Sequence, residues 1–367
     1  MSEGSASPPA AQRDAVFARW ELARDQVARG LSQHLVVAFL GSASAGKDAA
    51  IRAIFGLDFG QIDPIPGSTE VVRVAPIDAD GRVLVVNAPG FGDIRGDVDA
   101  AARGVLRNLD IAVYVVNSDG GATIDERRDL DAIRALGRPV LVCLNKIDLI
   151  RPSQRDSFVR ATLAQLGVTP DQAAVTAFDP MAVLSPEPIG VSAVIGWIHE
   201  TLQKQGKDLL FAKQVRNKVA ACEPIVRAAA RKAAVAGSLP VPGADMAAIT
   251  AIQVQMITDI AAVFSVRIDR DVVLFIIGEA LAGTSKGFVR WAVSALKTAG
   301  WIPGGQIAEL AVSALGATIA SATTYGVGRA AVGFMQRDQK ITGTELRDIF
   351  NEAAFAYRAD TESGADD

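Results

Sequence analysis

A mixed α/β sheet domain followed by an all-α region is the fold class that three observations predict. From residue 33 to about 204, apolar runs alternate with amphipathic stretches. Those runs are continuous or nearly so, as in a sheet covered on both faces. From 208 to about 358 strand signals stop, and the chain becomes Ala-rich and helical. Half of the 367 residues are apolar, so a sizeable core can form in each region.

Taken in order, residues 1–10 are rich in Ser, Pro and Ala and read as disordered. Over 11–32, Val16, Trp20, Ala23, Val27 and Leu31 recur at helical spacing. This amphipathic helix either packs on one of the domains or meets a partner or membrane. Strands are expected at 34–40, 71–77, 82–87, 111–117, 139–145 and 173–177, and helices near 48–56, 98–108, 124–136, 153–166 and 190–205. Asp80-Gly81 is a hairpin signal, which puts one antiparallel strand into an otherwise parallel six-stranded sheet. The helical region should break at 237–243, 283–287 and 300–305, where Gly and Pro gather, and 359–367 form an acidic tail.

The first strand runs into Gly41-Ser42-Ala43-Ser44-Ala45-Gly46-Lys47-Asp48-Ala49, and a helix follows. Strand, Gly-rich loop and helix make a phosphate-binding P-loop, whose backbone N–H groups, helix N-terminus and Lys47 all face an anion. Asn145-Lys146-Ile147-Asp148 ends a later strand. Asp148 can accept from the guanine N1–H and exocyclic amine, a donor pair that adenine lacks. Asn145 would hold the base and the P-loop, and the Lys146 stem would stack on the purine. Asn87-Ala88-Pro89-Gly90 stands where a P-loop GTPase carries Asp-x-x-Gly, and Thr69 sits in the loop before the second strand, placed for Mg²⁺ and the γ-phosphate. Thr176-Ala177 closes the base site, with the Ala177 N–H expected on the guanine oxygen. Val191-Ser192-Ala193 resembles the same motif but begins a helix.

On these motifs, residues 33–204 resemble an Era/TrmE-type small GTPase of the translation-factor class. The resemblance implies an α/β P-loop GTPase domain that binds GTP and GDP, hydrolyses GTP slowly, and switches the loops around Thr69 and Gly90. Lys47, Thr69 and Gly90 would then be the catalytic positions. Residues near 210–335 resemble the helical domain of uncharacterised function in YcjF-type proteins, through 233–245, Gln253-Val254-Gln255-Met256, and Thr324-Tyr325-Gly326-Val327-Gly328-Arg329-Ala330. That second resemblance implies membrane association more than chemistry.

Two metal-facing positions depart from the GTPase pattern together. Asp48 replaces the P-loop Ser or Thr, and Asn87 replaces the following Asp. In one reading the carboxylate has moved, so Asp48, Thr69 and Asn87 hold Mg²⁺, with Mn²⁺ as an alternative. In the other the site is degenerate, and Asp48 repels the phosphates by about 4 kcal/mol at ~4 Å and an effective dielectric of roughly 20. Phe91 follows Gly90 where Ras-like enzymes use Gln, and Ser44 stands where K⁺-using relatives carry Asn, so turnover should be slow. Asp93 and Asp97 are candidate substitutes, or a partner supplies the missing group.

Composition removes other classes. A net charge of −4 argues against nucleic-acid binding, as does the lack of a KH-like pattern after residue 205. Cys143 and Cys222 cannot build a disulfide framework, and His34 and His199 are too far apart in sequence for a His-based metal cluster. The first residues lack a signal-peptide pattern, so a cytoplasmic location is expected, with membrane association left open. Leu310 to Gly328 carry no charge over 19 positions, long enough to span a bilayer, but are mostly Ala, Ser, Thr and Gly. Gly316, Ala320, Thr324 and Gly328 form an i, i+4 small-residue ladder that suits close helix packing in lipid or in a dense bundle. Glu279 reads as a helix-face or paired charge. The combined expectation is a guanine-nucleotide switch whose helical region meets a membrane surface or protein effector, with a homodimer left open. The rival is a nucleotide-binding scaffold without useful hydrolysis.

Overall fold

The computed structural model describes residues 10–58, 72–88, 108–238, 244–282 and 305–363. They fall into two compact units: Gly30–Ala221, and the described residues before Gly30 together with those from Cys222 onward. The helix expected near 98–108 lies outside the described residues except for its end.

The first unit is built on six strands: β1 (Leu35–Leu40), β2 (Arg73–Pro76), β3 (Val83–Asn87), β4 (Ile111–Asn117), β5 (Val140–Asn145) and β6 (Ala173–Val175). Their order is β2-β3-β1-β4-β5-β6. All pairings are parallel except β2 with β3, where Arg73 faces Asn87 and Pro76 faces Leu84. The apolar runs explain this topology. β4 and β5 are buried along almost their whole length, so they need neighbours on both edges and cover on both faces. Cover comes from α2 (Lys47–Phe55), α3 (Ile124–Ala135), α4 (Pro152–Leu166) and α5 (Val191–Gln203). Cys143 is buried in β5, and burial raises its thiol pKa, which leaves it an inert core residue.

This unit runs past α5. A short helix, α6 (Asp208–Gln214), buries Leu209, Leu210, Phe211 and Ala212. Phe39, Phe55 and Phe211 stack edge to face in a row, with centroids 6.1 and 5.9 Å apart. The Arg216 N–H donates to the Ile54 carbonyl at 2.8 Å, and Lys207 pairs with Asp110 at 2.6 Å. The segment leaving the sheet unit is therefore seated on the C-terminal end of α2.

The second unit is helical among the described residues. Helix α1 (Ala10–Leu31) buries Val16, Trp20 and Ala23, and Arg270 lies over the Phe17 ring at 4.3 Å. Helix α7 (Lys218–Gly237) leads in, followed by α8 (Ala244–Val263), α9 (Arg270–Ala282), α10 (Gly305–Gln336) and α11 (Gly343–Ser363). The small-residue ladder is where helices meet. A Cβ on Gly328 would lie 2.6 Å from Val226 Cγ1 and 2.8 Å from Met256 Sδ, and one on Gly316 would strike the Gly237 carbonyl. Thr324 is fully buried and accepts from Gln253 at 3.4 Å. Glu223 accepts from Tyr325 (2.9 Å), Arg227 (2.7 Å) and Arg329 (3.1 Å), while Tyr325 stacks on Tyr357 at 4.4 Å. Burial, then the Glu223 carboxylate, pushes the Tyr325 pKa up to about 12. Glu279 is a paired charge, receiving Arg347 at 2.7 Å. No described helix is long and apolar enough to cross a membrane.

Candidate nucleotide site

The site forms where β1, β3 and β5 end together, at the carboxyl edge of the parallel sheet. β1 stops at Leu40, and the chain turns through Gly41–Gly46 into α2. Gly41 has φ +135° and Gly46 φ +99°, a region that favours glycine. A side chain at Gly41 would collide with the Val115 carbonyl on β4, and one at Gly46 with the Asn145 amide. Gly46 is the N-cap of α2, and no side chain caps it. The first helical N–H groups thus have no side-chain acceptor, which is the setting a phosphate requires.

Lys47 folds back into the loop and donates to the Gly41 and Ser42 carbonyls, each at 2.9 Å. Burial lowers its pKa, and the Asp48 carboxylate partly opposes that shift. The Asn87 amide donates to Asp48 Oδ1 at 2.6 Å. The two departures from the GTPase pattern are therefore direct partners, across the junction of α2 and β3. Ser42 Oγ lies 3.5 Å from Glu126, a buried residue of α3 whose carboxylate also accepts the Thr123 N–H. Ser44 holds a left-handed backbone, φ 59°, at the crest of the loop.

Asn145 Nδ2 donates to the Ala45 carbonyl at 2.8 Å, and Asn145 Oδ1 accepts the Phe178 N–H at 3.0 Å. The end of β5 is thereby tied to the Gly41–Gly46 loop. Thr176 is buried with its hydroxyl 3.5 Å from the same Oδ1. Lys146 also takes a left-handed backbone, φ 64°, in the turn that presents Asp148. Asp148 is 8% exposed and its Oδ2 accepts the Met181 N–H at 3.2 Å. The Ala177 N–H donates to the Ile189 carbonyl at 3.1 Å, in a bridge that closes the 178–188 loop. Val191 begins α5, as its helical pattern requires.

Thr69, Gly90, Phe91, Asp93 and Asp97 lie outside the described residues. Ala43 and Ala49 sit in the loop and the first turn of α2, where small side chains leave the backbone accessible. Sequence reasoning missed Glu126, the Arg52–Asp179 pair at 2.8 Å, and the two backbone donors at Phe178 and Met181. Thr123-x-x-Glu126 is a legible capping box, so Glu126 could have been placed at a helix start.

Comparison with known proteins finds similarity in both parts of the chain. Residues 36–146 match the family described as 50S ribosome-binding GTPase, and residues 201–355 match the domain of unknown function DUF697. GTPase Era of Caldanaerobacter subterraneus subsp. tengcongensis is 27% identical over 124 residues, 32% of this chain and 41% of that protein. Translation initiation factor IF-2 of Rhodopirellula baltica is 35% identical over 115 residues, 31% of this chain and 11% of that protein. A crystal structure of Era in complex with MgGDPNP and 16S ribosomal RNA nucleotides is 16% identical, covers 54% of this chain and 67% of that chain, and has a TM-score of 0.32. The chain spans less than half the length of either curated relative. Its two matched stretches join a GTP-binding GTPase domain, related to Era, to a DUF697 domain of helical structure.

Proposed function

We propose that this protein is a guanine-nucleotide switch with slow GTP hydrolysis, coupled through its helical unit to a membrane surface or protein effector. The 2.6 Å contact between Asn87 and Asp48 carries the reading. It supports an exchange of roles between the two positions, in which Asp48 supplies the carboxylate and Asn87 a neutral oxygen. These hard oxygen donors fit Mg²⁺, with Mn²⁺ as the alternative, and Asp48 and Asn87 together with Thr69 would hold it. When bound, such an ion neutralises charge on the β- and γ-phosphate oxygens. Lys47 leaves the Gly41 and Ser42 carbonyls to meet the phosphates, and its ammonium is positioned for that by the loop itself. Asn145 keeps the P-loop in register with the base, and Asp148 accepts from the guanine N–H pair.

Slow turnover is expected because Phe91 stands where Ras-like enzymes carry Gln and has no group to orient water. The rival reading is a nucleotide anchor without useful hydrolysis, favoured by the extra negative charge of Asp48 beside the phosphates. Titration calorimetry with GTP, GDP and ATP, in Mg²⁺ and then in EDTA, separates the two. The switch requires GTP and GDP to bind, ATP to fail, and GTP affinity to fall without Mg²⁺. Metal-independent GDP binding with weak GTP binding would establish the anchor instead.

A further inference from the structure

The four residues Phe178–Met181 touch Asn145, Asp148 and α2. The Phe178 N–H holds Asn145 Oδ1, and the Met181 N–H holds Asp148 Oδ2. Between them, Asp179 pairs with Arg52 on α2, the helix that begins at Lys47. The excursion is pinned at its ends, where Ala177 and Ile189 exchange hydrogen bonds of 3.1 and 2.9 Å. Gly190, with φ +76°, follows so closely that a side chain there would strike the Val175 carbonyl. We propose, building on the guanine-site reading above, that this segment sets base specificity by orienting the Asp148 carboxylate, with Met181 and Asp179 as positioning residues.

The argument rests on acceptor geometry. A carboxylate has two oxygens and about four lone-pair positions. One backbone N–H on Oδ2 leaves acceptor positions on both oxygens while restraining rotation of the side chain. A carboxylate fixed this way can address two adjacent donors at once, which is what guanine presents at N1 and its amine. A freely rotating carboxylate would satisfy one donor well and the second poorly. Asp148 is also almost fully buried, so its pose has to be set by the protein rather than by water. Asp179 is exposed and acts at one remove, holding the Met181 N–H in place through Arg52.

Inosine diphosphate keeps the N1–H and lacks the amine, so the ratio of GDP to IDP affinity reads the two-point pose directly. The test is calorimetry on the full chain with GDP and IDP in Mg²⁺. Wild type should prefer GDP. Met181→Pro removes the backbone donor, together with an exposed side chain and the freedom of φ, and should narrow the ratio about fivefold, the value of one hydrogen bond. Asp179→Ala should move it in the same direction, and Val183→Ala, at the exposed loop tip, should leave it alone. If Met181→Pro does not fold by circular dichroism, Asp179→Ala, an exposed position, decides. Equal weakening of both ligands with an unchanged ratio would reduce the segment to a structural brace and overturn the proposal. Tighter GDP binding in Met181→Pro would make the N–H a competitor of the base, and would overturn it equally. Wild-type protein that binds no guanine nucleotide would remove the underlying reading, and a failure confined to the variants would not.

Discussion

Asp48 and Asn87 are best treated as one unit. A carboxylate beside bound phosphates is costly alone, and an amide in place of a metal-supporting carboxylate is weak alone. Their 2.6 Å contact makes each the context of the other. Single reversion to Asp48→Ser leaves the site with no carboxylate at these two positions, and Asn87→Asp alone gives it two facing each other. The double reversion should therefore bind GTP better than either single variant, with a coupling of about 1–3 kcal/mol in a double-mutant cycle read by calorimetry. Additive single effects would show that the two positions act independently. Residues of this kind were legible in the sequence because their chemistry is carried by side chains at fixed spacing. Phe178 and Met181 were not, because a backbone N–H has no residue signature and its direction is set only when the chain folds. The bridge from Ala177 was not legible either, since it depends on Ile189, twelve positions away, which no local pattern announces.

At the level of elements, the sheet was readable almost strand for strand, since buried β-strands are short unbroken apolar runs. Two strands fall short: β2 pairs only over Arg73–Pro76, and β6 stops its ladder at Val175 although hydrogen bonding continues through Thr176 to Leu144 and Ile147. The helical unit was readable as helices but not in its joints. Asp269 caps α9 by accepting the Asp271 and Val272 N–H groups, and Thr342 with Glu345 forms a capping box at α11. Both signals are local and were overlooked beside the stronger Gly and Pro breaks. The small-residue ladder admitted two settings on sequence grounds, and the structure shows it filled by protein neighbours. Gly328→Ala should therefore cost about 1–3 kcal/mol in equilibrium urea unfolding, because its methyl meets Val226 and Met256. Gly196→Ala, inside α5 with nothing near its Cβ, should instead be neutral or stabilising by up to about 1 kcal/mol. Similar effects at the two sites would mean that the ladder's close contacts do not matter to stability.

For the molecule as a whole, the proposed switch needs nucleotide state to be read by the helical unit. The protein should hydrolyse GTP slowly by itself in single-turnover phosphate-release measurements, and change rate when anionic vesicles or an effector engage the helices. Rapid hydrolysis by the isolated protein would contradict the slow-switch reading, and indifference to every added surface would favour the scaffold. Length allowed two or three domains, and the described residues fall into two compact units. What composition could not show is that α1 has its buried side chains in the helical unit while α6 belongs to the sheet unit. Those memberships depend on tertiary packing of Trp20 and Phe211, each of which looks locally like any other apolar residue on a helix.

The place of α6 has a bearing on how such a chain could have been assembled. The stretch matching DUF697 opens at residue 201, yet the sheet unit continues to Ala221. The seam between the two homologous regions thus runs through the interior of a folded body, not along a linker. A helical region grafted onto another GTPase at residue 201 would take Phe211 with it and leave Phe55 uncovered at the end of the phosphate-binding helix. A graft made beyond residue 217 would leave that aromatic row whole. The boundary of sequence similarity at residue 201 and the boundary of the folded unit at Ala221 therefore do not coincide, and a cut between domains has to follow the second.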